Sequence, residues 1–345
     1  MSCSVSVAAS AIDVGLRNLP DDTTGSAHAD RGRAGLLCWR CFLSAAGESV
    51  SQQEIDAVRA LLTSKPRPVG WSERRQRIDE IGSTWPVADD VRLEEVEFEG
   101  VPGEWSIVPG SDPSHVLLFF HGGGYCSGSI VSHRRMVTEA GRAARMRTLA
   151  VDYGLAPERP YPAAHKDAMK AWRFLRMQGI AARNIAVGGD SAGGNLTITL
   201  INRLRAAGEE QPSCAWLASP WTDLTMSGAS LEAKATIDPL IHKAYLEELA
   251  DAYAPAPLDR KDPRISPLFS DLRGFPPTII QVGSSETLID DSVRFARALG
   301  LADVAVTLQV WPHMIHAWAM WNARLTEGRE ALERAGEFIR RRVHS

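Results

Sequence analysis

The pattern of hydrophobic and polar positions changes its period along the chain. Between residues 34 and 62 the hydrophobic residues recur at spacings of three and four, and residues 74–81 continue as a charged helical stretch, which predicts two or three short helices. From residue 91 the period shortens, and the segments 91–100 and 104–110 are predicted as the two strands of a hairpin. Residues 1–30 show no sustained period and are expected to form a disordered tail.

Beyond the hairpin, short apolar runs alternate with longer amphipathic patterns. The apolar runs predict buried strands at 116–120, 147–152, 184–188, 214–218, 278–282 and 304–311. The amphipathic patterns predict helices near 131–145, 163–178, 192–207, 288–300 and 317–342. Continuous apolar strands separated by helices indicate a mostly parallel sheet that is covered by helices on both faces.

One interval departs from this alternation. Residues 221 to 267 contain a predicted helix near 240–253 between proline-bearing loops, and the interval is too long for an ordinary connection. We therefore expect this excursion from the sheet to serve a function.

Composition narrows the class of protein. Of the 345 residues, 44% are hydrophobic and 23% are charged, as is typical of a globular chain. The formal charge of −4 argues against nucleic acid as the main partner. No apolar run approaches the ~20 residues that span a bilayer, so no membrane association is expected.

Asp13 and Arg17 interrupt any secretory signal, and the five cysteines form no evident framework, so we expect a cytoplasmic protein. The spacing of Cys38 and Cys41 is interpreted as incidental, because no second pair follows.

The segment from Gly189 to Gly193 carries the clearest chemical signal. Its sequence GDSAG matches the G-x-S-x-G pattern and lies between a predicted strand and a predicted helix. Glycines on both sides let the strand and the helix approach closely, and the sharp turn lifts the hydroxyl of Ser191 clear of the sheet. The helix N-terminus favours developing negative charge there. The sequence therefore predicts Ser191 as a nucleophile.

A serine hydroxyl needs a base, which an acid must orient. In enzymes with this serine turn the acid and then the histidine follow along the chain. The segment WPHMIHAW after the last predicted strand offers His313 and His316. We favour His316, which is expected at the start of the last helix, and His313 is the alternative.

The acid is expected in QVGSSETLIDDS, which follows the strand predicted at 278–282. Glu286 comes first on the loop, where its side chain can reach over the strand end towards the histidine. Asp290 and Asp291 begin the next helix, where carboxylates are ordinary first-turn residues. We therefore favour Glu286 and keep the two aspartates as alternatives.

Three consecutive glycines stand in HGGGYCSGS, residues 121 to 129, directly after a predicted strand. Such a run presents several N–H groups in one direction without side chains in the way. A loop of this type stabilises the oxyanion formed when a serine attacks a carbonyl, which would assign Gly123, Gly124 and Ala192 as donors. A phosphate-binding loop is disfavoured because Tyr125 follows in place of the Gly-Lys-Ser/Thr sequence.

In combination and order, six motifs make the chain from about residue 91 onward resemble the hormone-sensitive lipase family of α/β-hydrolases, in its bacterial esterase branch. They are HGGGY (121–125), VDYGLAPERPYPAA (151–164), GGDSAGGNL (188–196), SPWTDL (219–224), DPRISPL (262–268) and GSSETLIDDS (283–292). The resemblance implies an α/β-hydrolase fold with an eight-stranded, mostly parallel sheet flanked by helices. It also implies a helical cap, formed by residues 31–88 and about 222–266, on a catalytic domain of residues 89–345.

Carried over position by position, the resemblance implies Ser191, Glu286 and His316 as the catalytic triad. It again implies Gly123, Gly124 and Ala192 as the oxyanion donors, and it makes His121 a brace for the loop. Two positions depart from the family pattern. Glutamate stands at 286, where aspartate is more frequent, and Gly154 stands where an arginine is usual, which puts the rigidity of that loop in doubt.

The expected function is hydrolysis of short-chain carboxylic esters through an acyl-enzyme, without a metal or organic cofactor. Tyr125, Trp221 and Trp318 are candidates to line the substrate pocket. A lactone hydrolase or a deacetylase of small molecules would use the same residues, and a non-catalytic ligand receptor would lack the base, whereas His316 is present. The resemblance further implies that two copies pair as a homodimer.

Overall fold

A computed structural model describes residues 50–343 of the chain. The predicted tail, the predicted helices before residue 50 and the Cys38–Cys41 pair lie outside these residues. The strands are β1 Arg92–Phe98, β2 Val101–Ile107, β3 Asp112–Phe120, β4 Met146–Val151, β5 Ile185–Asp190, β6 Cys214–Ala218, β7 Thr278–Gly283 and β8 Val306–Trp311. The helices are α1 Val50–Thr63, α2 Gly70–Ser83, α3 Ile130–Ala144, α4 Ala163–Met177, α5 Ala192–Ala206, α6 Ser230–Ala233, α7 Lys243–Tyr253, α8 Ile289–Leu301 and α9 Thr326–Val343.

All eight strands form one sheet in the order β1-β2-β4-β3-β5-β6-β7-β8. The strands from β4 to β8 in this order pair in parallel, whereas β2 is antiparallel to both of its neighbours. The mostly parallel, eight-stranded sheet predicted from the sequence is therefore confirmed. Because the parallel strands run in one direction, the loops that follow β3, β5, β7 and β8 leave the sheet at the same edge.

The apolar run of β3 divides between the two faces of the sheet. Val116, Leu118 and Phe120 belong to the core that α4 and α5 cover, and Leu117 and Phe119 belong to the core beneath α3 and α9. A third cluster lies between α5, α8 and strands β6 and β7. This two-sided burial explains why the central strands read as continuous apolar runs.

Two predicted boundaries are wrong. The hairpin turns at Glu99 and Gly100, both at positive φ, and Val101 to Gly103 already belong to β2, so a two-residue turn replaces the longer one expected. The helix predicted from 317 to 342 begins only at Thr326, because a short 3₁₀ turn at Trp318–Trp321 precedes it.

The segments predicted as a cap lie in two places along the chain. Helices α1 and α2 precede the sheet, and α6 and α7 interrupt it between β6 and β7. Arg74 of α2 forms an ion pair with Glu248 of α7 at 2.7 Å and stacks on Tyr245, so the two segments contact each other. The boundaries of the cap itself stay predictions. Within residues 50–343 no helix is long and apolar enough to cross a membrane.

Candidate active site

Ser191 stands on the sharp turn between β5 and α5. Its backbone is held at φ 52°, ψ −118°, a conformation that costs a non-glycine residue energy and is retained mainly at functional sites. A Cβ at Gly189 would overlap the backbone of Gly193, and one at Gly193 would overlap the carbonyl of Phe120. The glycines of the G-x-S-x-G motif are therefore required by contact between the strand and the helix. Ser191 is 7% exposed, which leaves only a narrow approach to its hydroxyl.

The structure brings Glu286 and His316 together. Glu286 follows β7, His316 follows β8, and the His316 Nδ1 lies 3.5 Å from the Glu286 Oε2. Both side chains are buried. The two loops leave the same sheet edge as the turn that bears Ser191, so the three residues predicted as a triad follow strands β5, β7 and β8 at one edge of the sheet.

Burial and charge act against each other on this pair. Burial disfavours the imidazolium form of His316, but the nearby carboxylate of Glu286 outweighs it and raises the pKa of His316 above its usual 6.5. Burial likewise raises the pKa of Glu286, although His316 and Ser219 oppose the shift. A histidine made more basic by a buried carboxylate has the property required of a general base.

The alternative acids and base lie elsewhere. His313 is exposed, and its backbone N–H donates to the hydroxyl of Ser284. Asp290 accepts a hydrogen bond from the backbone of Ser230, and Asp291 accepts from the N–H groups of Thr222 and Asp223. Both aspartates therefore tie the insertion between β6 and β7 to the start of α8.

Gly123 and Gly124 have backbone conformations that side chains would disturb. Their φ angles are 110° and 65°, in the region that favours glycine. A Cβ at Gly123 would overlap the carbonyl of Ser127, and one at Gly124 would overlap Leu249 of α7. Within residues 50–343, the backbone N–H groups of Gly123, Gly124 and Ala192 donate to no other residue. These amides are therefore free to receive a substrate oxygen.

His121 at the head of this loop is a buried, neutral side chain. Its Nδ1 lies 2.8 Å from the carbonyl of Gly122, and its ring stacks on Tyr153 with the centroids 4.2 Å apart. The hydroxyl of Tyr153 in turn donates to the carbonyl of His121. Burial, reinforced by repulsion from His133, lowers the pKa of His121 to about 3.

A buried pair that the sequence did not reveal joins the glycine loop to the serine turn. Asp190, next to Ser191, accepts a hydrogen bond from the N–H of Gly122 at 2.9 Å through one oxygen, and its other oxygen lies 3.3 Å from the Nε2 of His133 on α3. Burial disfavours the carboxylate, but pairing with His133 outweighs it and keeps the pKa of Asp190 below its usual value. Because His133 and Asp190 are 57 positions apart, no local sequence pattern signals the contact.

The three aromatic residues expected at the substrate pocket are each almost wholly buried: Tyr125, Trp221 and Trp318. Tyr125 stacks on Tyr253 of α7 with the centroids 3.8 Å apart and donates its hydroxyl to Asn195. The Nε1 of Trp318 donates to the carbonyl of Glu327. These contacts describe core packing, and a role in lining the pocket stays a prediction.

The loop around Gly154 is braced although the family arginine is absent. The guanidinium of Arg159 occupies the space that a side chain at position 154 would fill. It forms an ion pair with buried Asp167 at 3.1 Å, and Asp167 also accepts from the N–H of Gly154. An arginine five residues downstream thus contacts this loop and pairs with Asp167.

No group of three or more histidine, cysteine, aspartate or glutamate side chains within residues 50–343 is arranged to hold a metal ion.

Comparison with known proteins places the chain in a family. The sequence profile of a family described as an α/β-hydrolase fold matches residues 117–320. An acetyl-hydrolase of Streptomyces hygroscopicus is 40% identical over 237 residues, which are 69% of this chain and 79% of that protein. An esterase of Acinetobacter venetianus is 36% identical over 76% of this chain and 87% of its own length.

Among solved structures, an esterase from the bacterial hormone-sensitive lipase family superposes with a TM-score of 0.82 at 37% identity, covering 86% of this chain and 99% of that one. The chain belongs to the α/β-hydrolase fold family. Within it, esterases of the bacterial hormone-sensitive lipase family are structural neighbours, which confirms the resemblance drawn from the six motifs.

Proposed function

We propose that the protein is a serine carboxylesterase that works through an acyl-enzyme on Ser191. The observation that carries the proposal is the buried pair of His316 and Glu286, 3.5 Å apart, on loops beside the strained turn of Ser191. The relatives described as an acetyl-hydrolase and an esterase support the same reaction.

In the first half of the reaction, His316 takes the proton of the Ser191 hydroxyl as the oxygen attacks the ester carbonyl. Glu286 stabilises the imidazolium that forms, because its carboxylate faces Nδ1. The tetrahedral intermediate then collapses, the proton passes from His316 to the leaving alcohol, and the acyl group stays on Ser191. A water molecule repeats the sequence on the acyl-enzyme and releases the acid.

The developing oxyanion is stabilised by the amides of Gly123, Gly124 and Ala192. Their N–H groups have no acceptor within residues 50–343, and Ala192 begins α5, where the helix dipole favours negative charge. Fixed donors of this kind contribute about 3–4 kcal/mol each to transition-state stabilisation. Because the Gly122 amide is already bonded to Asp190, it is not among them.

We propose that the substrates carry short acyl groups. Leu249 of α7 packs directly on Gly124, so the insertion closes the space beside the oxyanion donors. The acetyl-hydrolase among the relatives supports a small acyl group. Lactones and small acetylated compounds present the same carbonyl chemistry and are the alternative substrates to compare in the assay.

The test is hydrolysis of p-nitrophenyl acetate and butyrate by the purified protein and by Ser191→Ala. We expect Ser191→Ala to lose at least about 1000-fold in kcat. Ser292→Ala is the control, because Ser292 is also buried and its hydroxyl has no partner within residues 50–343. Normal hydrolysis by folded Ser191→Ala would overturn the proposal.

We further propose that two copies associate through the edge of the sheet at β8. Strand β8 ends the sheet, and Val310 on it and Leu301 at the end of α8 are 45% and 70% exposed. Light scattering on the purified protein should give twice the mass of the chain, and Val310→Lys should give the mass of one chain.

The cytoplasm is the proposed location. Cys126 and Cys214 are buried free thiols, as suits a reducing compartment. Fractionation of cells that express the chain with a small tag should recover the esterase activity with cytoplasmic markers, and recovery outside the cytoplasm would contradict the proposal.

A further inference from the structure

Ser219, directly after β6, lies between the loop of the acid and the loop of the base. It is fully buried, its φ is 47°, and its backbone N–H donates to the carbonyl of Gln281 at 2.7 Å. Its hydroxyl donates to the Glu286 Oε2 at 2.8 Å and accepts from the N–H of Ala317 at 3.2 Å. One hydroxyl therefore contacts both loops.

The contact to Glu286 falls on the oxygen that faces the histidine. The Oε2 receives the Ser219 hydroxyl and lies 3.5 Å from the His316 Nδ1, whereas Oε1 has no hydrogen-bond partner within residues 50–343. A glutamate has one more rotatable bond than the aspartate usual in the family and loses more freedom when it is ordered. A second fixed donor therefore determines which way this longer carboxylate points.

The contact to Ala317 acts on the base. Ala317 follows His316 directly and has a φ of 52°, so its backbone needs support from its surroundings. Its buried N–H finds its acceptor in the Ser219 hydroxyl, and a buried amide without an acceptor costs about 1–3 kcal/mol. Removal of the hydroxyl thus loosens the backbone that carries the imidazole.

We propose that Ser219 is a positioning residue for the ester hydrolysis proposed above: its hydroxyl fixes the Glu286 carboxylate and the His316 loop relative to each other. The inference rests on that proposed function. Ser219 donates no proton to the substrate and takes none from it, and it acts only through the acid and the base.

The Ser219 hydroxyl also affects how strongly the Glu286 carboxylate stabilises the protonated form of His316. The groups that act on the pair are Asp238 on both side chains, Asp190 on His316 and the Ser219 hydroxyl on Glu286. All except Ser219 are retained when its hydroxyl is removed. Once the hydroxyl no longer fixes the carboxylate, Glu286 faces the His316 Nδ1 less constantly and stabilises the imidazolium less, so the acid limb of the kcat/KM profile moves to lower pH.

The experiment compares Ser219→Ala and Ser219→Gly with the wild type, with Ser292→Ala as the buried-serine control. We expect kcat for p-nitrophenyl butyrate to fall about 10- to 100-fold in both variants, a cost typical of residues that hold a catalytic group. KM should stay within about 3-fold, and the acid limb should shift to lower pH. Glycine suits the positive φ of position 219, so Ser219→Gly separates loss of the hydroxyl from backbone strain.

Wild-type kcat and an unshifted pH profile in folded Ser219→Gly would overturn the inference. So would failure of both variants to fold, because the hydroxyl would then serve the fold. The proposed function fails separately, through activity in Ser191→Ala. If Ser191→Ala is inactive while the Ser219 variants match the wild type, only the role of Ser219 is wrong.

Discussion

The loop after β3 and the loop after β8 each carry a buried histidine at the same edge of the sheet, yet the two imidazoles have opposite properties. The pKa of His121 is lowered to about 3, and that of His316 is raised above 6.5. Their exposure is nearly the same, at 2% and 6%. Burial alone therefore does not decide whether a histidine of this site can carry a proton.

The difference lies in what each ring faces. His121 faces a backbone carbonyl, a tyrosine ring and a second histidine. The charge of Asp190 also favours its protonation, but burial and the repulsion from His133 outweigh this effect. His316 faces the carboxylate of Glu286. A carboxylate at one ring nitrogen offsets the desolvation of the imidazolium, whereas hydrogen bonding to a carbonyl does not. The histidine that opens the glycine run is thus held neutral, and the other one has the raised basicity that the proposed mechanism requires.

The most direct test of the difference between the two histidines is to replace each of them. We expect His316→Ala to lower kcat for p-nitrophenyl butyrate about 10³- to 10⁴-fold or more, because the serine loses its base. His121→Phe keeps a ring against Tyr153 and should lose less than about 10-fold. Circular dichroism checks that both variants are folded. Equal losses in the two folded variants would show that the contrast between the histidines has no catalytic meaning.

A second test removes the negative charge of Glu286. Glu286→Gln should lower kcat about 10²- to 10⁴-fold, since an amide cannot stabilise the imidazolium and can orient the wrong tautomer. It should also move the acid limb of kcat/KM to lower pH, because the raised pKa of His316 depends on the charge of Glu286. The neutral imidazole is the active form, so wild-type activity should fall as pH drops through a midpoint above 6.5.

Asp291→Asn is the control for replacement of a buried carboxyl group by an amide. Asp291 is a buried carboxylate five residues away that accepts from backbone N–H groups of the insertion, and its replacement should leave kcat within about 3-fold. A larger loss in Asp291→Asn than in Glu286→Gln would reverse the assignment of the acid.

The sequence predicts the features of the candidate site and the fold that depend on short segments of the chain. The strand, the G-x-S-x-G turn and the helix around Ser191 form one local pattern, and the residues between Gly189 and Gly193 meet because they are neighbours along the chain. The order of serine, acid and histidine also limits the candidates to two loops. The fold class follows from the alternation of apolar and amphipathic segments.

The contacts between side chains that are distant in sequence cannot be predicted from short segments. The bridge from Ser219 to Glu286 and Ala317 spans 67 and 98 positions, and Asp190 is 57 positions from His133. Arg159 fills the space beside Gly154 by folding back on its own loop. The 3₁₀ turn before α9 escaped detection because Trp318, Ala319 and Trp321 have hydrophobic spacings that also fit a helix. Such contacts depend on register and packing between distant segments, which periodicity does not report.

A third test concerns the glycine loop itself. Gly124→Ala should reduce kcat about 10²-fold or more, because a side chain at φ 65° would push against Leu249 and displace a proposed oxyanion donor. Gly110→Ala is the control: its φ of 76° imposes similar backbone strain, but nothing lies within 4 Å of the added Cβ. It should cost about 1–2 kcal/mol of stability and leave kcat unchanged. If both variants lost kcat to the same extent, the loss would reflect strain alone.

The smallest expected effect is that of His121→Phe on the free energy of unfolding. Its pKa is lowered in the folded state to about 3, whereas in the unfolded chain it is near the usual value of about 6.5. The unfolded chain therefore binds more protons between these values, so the stability contribution is complete above pH 6.5 and is lost as pH falls towards 3, by up to about 1.4 kcal/mol per pH unit. In His121→Phe this contribution is absent, so its free energy of unfolding should approach or exceed that of the wild type as pH falls from 7 to 5. Urea titrations at pH 7, 6 and 5 measure the difference in the free energy of unfolding. If this free energy changed with pH in the same way for both proteins, His121 would take up its proton equally readily in the folded and unfolded states, and its pKa would not be lowered by folding.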